Sequence, residues 1–262
     1  MVVINKEACI GCGQCMDDCI LNVLTLKDGK ALHTAECIQC GHCMAVCPVN
    51  AVTIPDYDMG DVEDFDKSFY GLDIDRLLHT IKLRRSLRNF AEKKVEQDKL
   101  EKLVQAARYT ATGGNSQRCR FVVVQDDLDI LKDIIWKPIE DLFSDPNGSS
   151  PMAVRQWERL YRLRSEKGID YLFRNAPAVL YIAAESDIDA GLAAQNIELA
   201  AIAQGLGVMY NGYLTGATAS NRKACQWARI EDKPIAICML VGYPGVQYMR
   251  SAPRKKADVV WK

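Results

Sequence analysis

The sequence has no hydrophobic run long enough to cross a lipid bilayer. Its two longest apolar stretches, residues 176–184 and 235–242, are far shorter than the roughly 18 residues that a membrane-spanning helix needs. The first residues, Met-Val-Val-Ile-Asn-Lys-Glu, also lack the basic segment and following apolar segment of a secretory signal. We therefore expect no membrane partner and a cytoplasmic location.

The first 75 residues contain no arginine. They hold 13 Asp and Glu against 4 Lys, a balance of −9, whereas the rest of the chain carries +8 and the whole chain −1. Because an acidic segment repels phosphate groups, we expect no nucleic acid as its partner. Histidine is also scarce, with only His33, His42 and His79. No general acid is assigned, and the catalytic residues stay unknown.

Cysteine, by contrast, is abundant for a chain expected in a reducing compartment. Eleven are present, and metal binding or catalysis explains them better than disulfides, since cytoplasmic thiols stay reduced. Eight of them form two copies of the pattern C-x2-C-x2-C-x3-C, 28 residues apart. These are Cys9, Cys12, Cys15 and Cys19 in the first copy, and Cys37, Cys40, Cys43 and Cys47 in the second. The duplication predicts two ligand loops, each with a brief helix and a flanking strand.

This spacing is typical of cubane iron–sulfur clusters, whose irons bind soft thiolates. Three cysteines at x2 spacing surround one cluster, and the fourth points at the other cluster. We therefore assign one [4Fe–4S] cluster to Cys9, Cys12, Cys15 and Cys47, and the second to Cys37, Cys40, Cys43 and Cys19. Two zinc sites are the competing interpretation, although zinc motifs usually pair two C-x2-C units across a longer loop. A purely structural role for the clusters is a further alternative, but two in close succession favour electron transfer.

Residues 2–57 resemble the bacterial two-cluster ferredoxins. The duplicated cysteine run carries the resemblance, and Pro48 completes the Cys-Pro ending of the second copy. Ile20 stands where the first copy would usually have proline, which removes no ligand. We predict a ferredoxin-type domain at residues 1–57 and an acidic linker at 58–75. The aromatic residues near this linker suggest that it packs along the following domain; they are Tyr57, Phe65, Phe69 and Tyr70.

Residues 76–262 form a second predicted domain, in which helical and strand patterns alternate. Helical spacing of apolar residues covers 74–83 and 100–107, and a helix rich in small residues runs over 190–205. Three short apolar runs predict fully buried strands, at 121–124, 179–183 and 235–241. These elements predict an α+β fold, a mixed sheet flanked by helices on both faces. No catalytic role is assigned to the remaining cysteines, which are Cys119, Cys225 and Cys238.

Three short segments of the second domain carry polar chemistry. An extended backbone at residues 84–88 would place Arg84, Ser86 and Arg88 on one side, where they could bind a phosphate. Residues 112–117 combine two glycines with two amides, and residues 205–212 leave the long helix through a glycine-rich turn. Each segment has a plain alternative: a solvated basic cluster, a polar turn and a helix C-cap.

In this order the segments resemble the nitroreductase family of FMN enzymes, over residues 76–262. The shared motifs are R-R-S-x-R-x-F from Arg84, G-G-N-x-Q from Gly113, A-P-A-V from Ala176, N-x-x-L-A-A-x-x-x-G-L-G from Asn196 and P-R-K from Pro253. Each motif is weak singly, and five in sequence are strong. The chain departs from the family after Gln117, where Arg118-Cys119 replaces the common Pro-Trp.

The resemblance implies an FMN site whose residues can be carried over position by position. The implied phosphate contacts are Arg84, Arg85, Ser86 and Arg254, with a further basic contact at Lys256 or Lys255. The implied contacts to the pyrimidine edge are Arg88, Asn115 and Gln117, and the backbone near Asn211 and Gly212 would reach flavin N5. The resemblance also implies a homodimer that builds each site from both chains.

These assignments favour an enzyme that reduces a small electron-poor acceptor, such as a nitroaromatic or quinone-like compound. The clusters would collect single electrons from an external low-potential donor, and FMN would deliver them in pairs. Substrate contacts are expected within residues 136–173, from Trp136, Trp157, Tyr161 and Tyr171, with core-facing aromatics as the alternative. The second hypothesis is an electron-transfer partner that relays electrons to another protein.

Overall fold

The computed structural model describes residues 1–143 and 155–262, without the side chain of Arg155. The chain divides into two compact units: a first unit of residues 1–72 with 112–116, and a second unit of residues 73–111 with 117–262. The boundaries predicted after residues 57 and 75 stay predictions. Among the described residues, no helix is long and apolar enough to cross a membrane.

The first unit is built from two antiparallel strand pairs and two one-turn helices. The strands are β1 (Val3–Ile4), β2 (Leu24–Lys27), β3 (Lys30–His33) and β4 (Val52–Thr53), and the helices are α1 (Gln14–Asp17) and α2 (His42–Ala45). β1 pairs with β4, and β2 pairs with β3. Each helix is preceded by a glycine at φ 82°, Gly13 or Gly41. The brief helix and flanking strand predicted for each copy are therefore confirmed.

The segment before the second unit contains a 3₁₀-helix (Met59–Asp61) and several exposed aromatic side chains. Phe65, Phe69 and Tyr70 are 74%, 90% and 78% exposed. Phe65 and Tyr70 contact each other edge to face, with ring centroids 5.3 Å apart. The prediction that these aromatics pack along the next domain stays a prediction. Carboxylates lie between them along the segment.

The second unit contains a four-stranded sheet and seven helices among its described residues. Its helices are α3 (Ile74–Leu83), α4 (Gln97–Arg108), α5 (Leu128–Phe143), α6 (Arg155–Lys167), α7 (Asp187–Ala203), α8 (Gly212–Ala219) and α9 (Arg222–Trp227). Its strands are β5 (Arg120–Val124), β6 (Ala178–Ala183), β7 (Gly207–Tyr210) and β8 (Ile235–Gly242). The strand order is β5-β6-β8-β7, and every pairing among these strands is antiparallel, whereas the sequence suggested a mixed sheet.

Helices cover both faces of this sheet, which confirms the predicted α+β class. Along β6, the even-numbered residues from Ala178 to Ile182 share a core with α4 and α7. The odd-numbered residues from Val179 to Ala183 share a different core with α5, α8 and α9. This alternation follows from the two-residue period of a strand. Cys238 on β8 is buried in the second of these cores, as expected for a packing cysteine.

Two details of the sheet differ from the sequence predictions. Only Val124 of β5 is buried, because β5 is an edge strand with a single neighbour, so the prediction of full burial there is wrong. Residues 205–212 also contain a strand that the sequence did not predict, β7. Gly205 (φ 74°) ends α7 before it: Leu206 N–H donates to the Ala201 carbonyl, and Gly205 N–H to that of Ile202. This is a Schellman C-cap, so the helix cap and the strand coexist.

Candidate functional site

Two cavities in the first unit are lined by the duplicated cysteines. One cavity is bounded by Cys9, Cys12, Cys15 and Cys47. The other is bounded by Cys19, Cys37, Cys40 and Cys43. Each cavity therefore gathers three cysteines from one copy of the motif and the fourth cysteine from the other copy. The remaining walls of both cavities are largely apolar, including Ile4 and Val52 in one, and Val2 and Leu24 in the other.

Backbone N–H groups point at several of these sulfur atoms. Ala31 donates to Cys9 Sγ at 3.4 Å, and Ala51 donates to Cys47 Sγ at 3.2 Å. In the other cavity, Gln39 donates to Cys37 Sγ at 3.4 Å. Such donors stabilise the thiolate form of cysteine, which is the form that binds metal.

The pKa values of these thiols show two opposing effects. The N–H groups of Ala31 and then Gly11 lower the pKa of Cys9. Burial raises the pKa of Cys15, and burial raises that of Cys43 to about 11, in both cases with smaller contributions from neighbouring thiolates. Cys43, which belongs to the other cavity, packs against the residue cluster that contains Cys9 and Cys15, so the two cavities adjoin. Four thiolates that line one partly buried cavity repel one another. They therefore require a positively charged partner.

The cysteine arrangement fits a group larger than one metal ion. Among the residues that the structure describes, no three His, Cys, Asp or Glu side chains converge closely enough to hold a single ion. The four thiols surround a cavity instead of a point, whereas the sulfur atoms of a zinc site lie about 2.3 Å from one metal. Four soft thiol donors around one cavity are the ligand set that a cubane iron–sulfur cluster uses.

In the second unit, residues 84–90 run from the end of α3 along β7. Leu87 N–H donates to the Val208 carbonyl at 2.8 Å. Gly207 permits this approach, because a Cβ there would lie 2.8 Å from Leu87 Cδ2. Leu87 is buried, while Ser86 and Arg88 are exposed on the other side of the chain. The structure thus brings the basic segment beside the strand that leads to Asn211 and Gly212.

Arg84 forms an ion pair that the sequence analysis missed. Its Nη1 lies 3.2 Å from Oε1 of Glu198 on α7. Glu198 is only 2% exposed. Nearby, burial raises the pKa of the Tyr210 phenol to about 12, with Glu198 adding to the effect. Glu198 is the only charged residue within 190–205, a signal that could have predicted a buried ion pair without identifying its partner.

Asn211 and Gly212 begin α8. The Asn211 side chain is buried and caps this helix, accepting from Leu214 N–H at 3.0 Å and donating to the Leu172 carbonyl. Asn211 N–H donates to the Cys238 carbonyl at 2.8 Å. The first N–H groups of a helix have no partner within the helix. Gly212, in the first turn of α8, is therefore better suited than Asn211 to donate to a ligand.

The other implied flavin contacts are dispersed. Gln117 is exposed and lies three residues before the start of β5. Asn115 belongs to the first unit, where its amide hydrogen-bonds the loop between Cys37 and Cys40. Arg254 and Lys256 are exposed near the end of the chain, and Arg254 donates to the carbonyl of its neighbour Pro253.

The aromatic residues expected to contact substrate occupy different environments. Trp136 is 1% exposed in the core, so the core-facing alternative holds for it. Tyr161 stacks on Phe143, with centroids 5.9 Å apart. The two others meet an aromatic that the sequence analysis missed, Tyr213 in the first turn of α8: its centroid lies 6.1 Å from Trp157 and 5.9 Å from Tyr171. Residues 144–154 of the predicted substrate region lie outside the described residues.

Comparison with known families decides the classification. A model described as the nitroreductase family matches residues 81–243. The chain belongs to the nitroreductase family. A second model, described as a 4Fe-4S dicluster domain, matches residues 1–48 of this nitroreductase. Comparison with curated proteins gives no match.

Solved structures share the fold of the nitroreductase domain. An FMN-bound nitroreductase from Bacteroides fragilis is 22% identical, with a TM-score of 0.57 over 71% of this chain and 98% of that one. An FMN-dependent nitroreductase from Clostridium difficile is 22% identical, with a TM-score of 0.55 over 72% and 100%. An FMN-bound nitroreductase from Desulfitobacterium hafniense is 24% identical, with a TM-score of 0.55 over 70% and 97%.

The pair between Arg84 and Glu198 leads to a prediction about the stability of this nitroreductase. Arg84→Ala leaves the Glu198 carboxylate buried without a charged partner, with only the neutral amide of Gln195 at 3.4 Å from Oε2. Removing one member of a buried pair costs 3–5 kcal/mol, and because Arg84 is partly exposed we expect about 2–3 kcal/mol of lost unfolding free energy. Adding Glu198→Gln to Arg84→Ala should recover most of the loss. Urea denaturation at fixed protein concentration measures both, and equal stability of the single and double variants would contradict the pairing.

Proposed function

We propose that this nitroreductase-family protein is an oxidoreductase in which two [4Fe–4S] clusters pass single electrons to FMN, for reduction of a small electron-poor acceptor. The observation that carries the proposal is the pair of adjoining cavities, each lined by four cysteines drawn from both copies of the motif. The match of residues 81–243 to the nitroreductase family supports the flavin part of the proposal.

The cysteines at each cavity would hold one cluster. The first would be bound by Cys9, Cys12, Cys15 and Cys47, and the second by Cys19, Cys37, Cys40 and Cys43. Backbone N–H donors to three of these sulfur atoms would stabilise the thiolates. When bound, the clusters supply one-electron transfer and FMN supplies the conversion of single electrons to pairs. Because Cys43 of one cavity packs against the residue cluster that contains Cys15 of the other, the two clusters would lie close enough to act in succession.

FMN is supported by the FMN-bound nitroreductases that share the fold. Its phosphate would be held by Arg84, Arg85 and Ser86 in the segment beside β7. Guanidinium forks and a hydroxyl provide the charge-assisted hydrogen bonds that a phosphate needs. Arg88 and Gln117 would contact the pyrimidine edge, and Gly212 N–H in the first turn of α8 would donate to N5. Asn115 is the third contact that the family resemblance implies at this edge.

The C-terminal basic residues would complete the FMN site of a second copy. Arg254 and Lys256 are exposed, and a homodimer would bring each of them to the partner's phosphate segment. The same arrangement would allow the partner chain to cover Val260 and Trp261, whose side chains are 78% and 89% exposed. A homodimer therefore belongs to this proposal.

The acceptor would lie against the aromatic group formed by Trp157, Tyr171 and Tyr213. Tyr213 directly follows Gly212, so this group flanks the proposed N5 contact along the chain. Flat aromatic faces suit a planar electron-poor compound and exclude water. The second unit holds one histidine, His79, and no side chain is assigned as proton donor.

The relay hypothesis keeps one specific observation in its favour. The exposed aromatics Phe65, Phe69 and Tyr70 lie in an acidic segment. Aromatic residues surrounded by carboxylates form a surface suited to a basic redox partner. In that case the protein would deliver electrons to another protein instead of a small acceptor.

Turnover distinguishes the two functions. With reduced ferredoxin as donor, the purified protein should reduce a nitroaromatic or quinone acceptor continuously without any added partner. Cys40→Ser should slow this turnover while FMN stays bound, because it disturbs only the second cluster. If the unmodified protein does not reduce the acceptor until a basic redox protein is added, the relay hypothesis is favoured.

If the proposed phosphate contacts are correct, removing one of them should weaken FMN binding. Ser86→Ala and Arg254→Ala each remove charge-assisted hydrogen bonds worth roughly 1.5–3 kcal/mol, so FMN affinity should fall about ten- to a hundredfold for each change. Cluster absorbance should persist. Arg250→Ala, in the same exposed segment, is the matched control for Arg254→Ala and should leave the Kd unchanged. Titration of apoprotein with FMN, followed by flavin fluorescence, measures the Kd, and wild-type affinity in both variants would remove the phosphate assignment.

A further inference from the structure

One amide side chain fastens the ligand loop of the second cluster. Asn115 Nδ2 donates to the carbonyls of Ile38 at 2.8 Å and Gln39 at 3.0 Å, and lies 3.2 Å from Tyr57 Oη. Ile38 and Gln39 are the two residues between Cys37 and Cys40. All of these groups belong to the first unit. The two protons of the amide are therefore engaged by the loop that carries two cysteines of the second cavity.

The internal repeat supplies a comparison for this loop. Gly11 occupies the matching position in the first copy at φ 68°, whereas Gln39 adopts φ 50° in the second. A residue with a side chain pays an energetic cost in this left-handed region that glycine does not pay. The second copy compensates with contacts: Gln39 Nε2 donates to Asp56 at 3.0 Å, and its carbonyl accepts from Asn115. The second loop is thus held from outside, whereas glycine lets the first loop adopt its shape.

The same peptide group links Asn115 to a cluster sulfur. The Ile38 carbonyl accepts from Asn115, and the N–H of that peptide, on Gln39, donates to Cys37 Sγ at 3.4 Å. A donor on the carbonyl polarises the peptide and strengthens the hydrogen bond that its N–H donates. Hydrogen bonds to cluster sulfur are among the factors that set the reduction potential. The side chain can therefore act on the cluster without touching it.

We propose that Asn115 is a positioning residue of the second cluster, raising its reduction potential through the Ile38–Gln39 peptide. The proposal rests on the cluster assignment above and goes beyond it. The flavin contact that the family resemblance implies for Asn115 stays a prediction. The first cluster serves as an internal reference, because Gly11 takes the place of Gln39 there.

Asn115→Leu tests this proposal in the full protein, because leucine is similar in size and donates no hydrogen bond. Asn115→Asp is a second variant that keeps the shape more closely and also removes the donors. Ser116→Ala, one residue further along, is the matched control. Redox titration followed by paramagnetically shifted NMR signals of the cysteine β-protons reports each cluster separately. Hydrogen exchange of the peptide spanning residues 36–44 reports the loop without depending on activity.

We expect both Asn115 variants to shift the potential of the second cluster to more negative values and to speed exchange in the loop. The first cluster and the Ser116→Ala protein should match the wild type. Unchanged potential and exchange in Asn115→Leu, with iron content and first-cluster signals intact, would overturn this inference alone. If anaerobically purified unmodified protein contains no iron, the cluster assignment is wrong and this inference fails with it.

Discussion

Compensation of crowded thiolate charge is the constraint on which the first unit depends. Its apolar core around the first cavity is small, with Cys9 and Cys15 themselves among the buried members beside Leu24, Ala31 and Ala51. Units of this size rarely bury enough apolar surface to be stable alone. Binding a cluster at each cavity would neutralise the thiolates and tie the two copies of the motif together. Folding and electron transfer would then rest on the same eight cysteines.

The second unit meets a similar constraint at the buried carboxylate of Glu198. Alanines such as Ala193 and Ala194 let α7 pack closely against the sheet and α4, and Glu198 is acceptable in that helix because Arg84 is present. The ion pair joins α7 to the segment proposed to hold phosphate. An arginine with a carboxylate partner is held in a defined orientation, and its remaining N–H groups are available for a second anion. In the proposed site, protein stability and FMN binding would both depend on Arg84.

The sequence predicted what short-range patterns determine and missed what distant contacts determine. The crossed grouping of cysteines follows from fixed local spacing, and β6 and β8 follow from continuous apolar runs. By contrast, Arg84 and Glu198 are 114 residues apart, and Asn115 meets Gln39 across 76 residues. Neither pairing leaves a periodic pattern in the chain. The exposure of β5 was missed for a related reason, since an apolar side chain alone does not reveal whether a neighbour covers it.

Electron capacity tests most directly whether two clusters and one flavin work together in this chain. Reductive titration of anaerobically purified protein should consume about four electrons per chain, one for each cluster and two for FMN, with both cluster and flavin absorbance bleached at the end. Uptake of about two electrons, accompanied by zinc in place of iron, would leave only the flavin active in redox chemistry. That result would contradict the account.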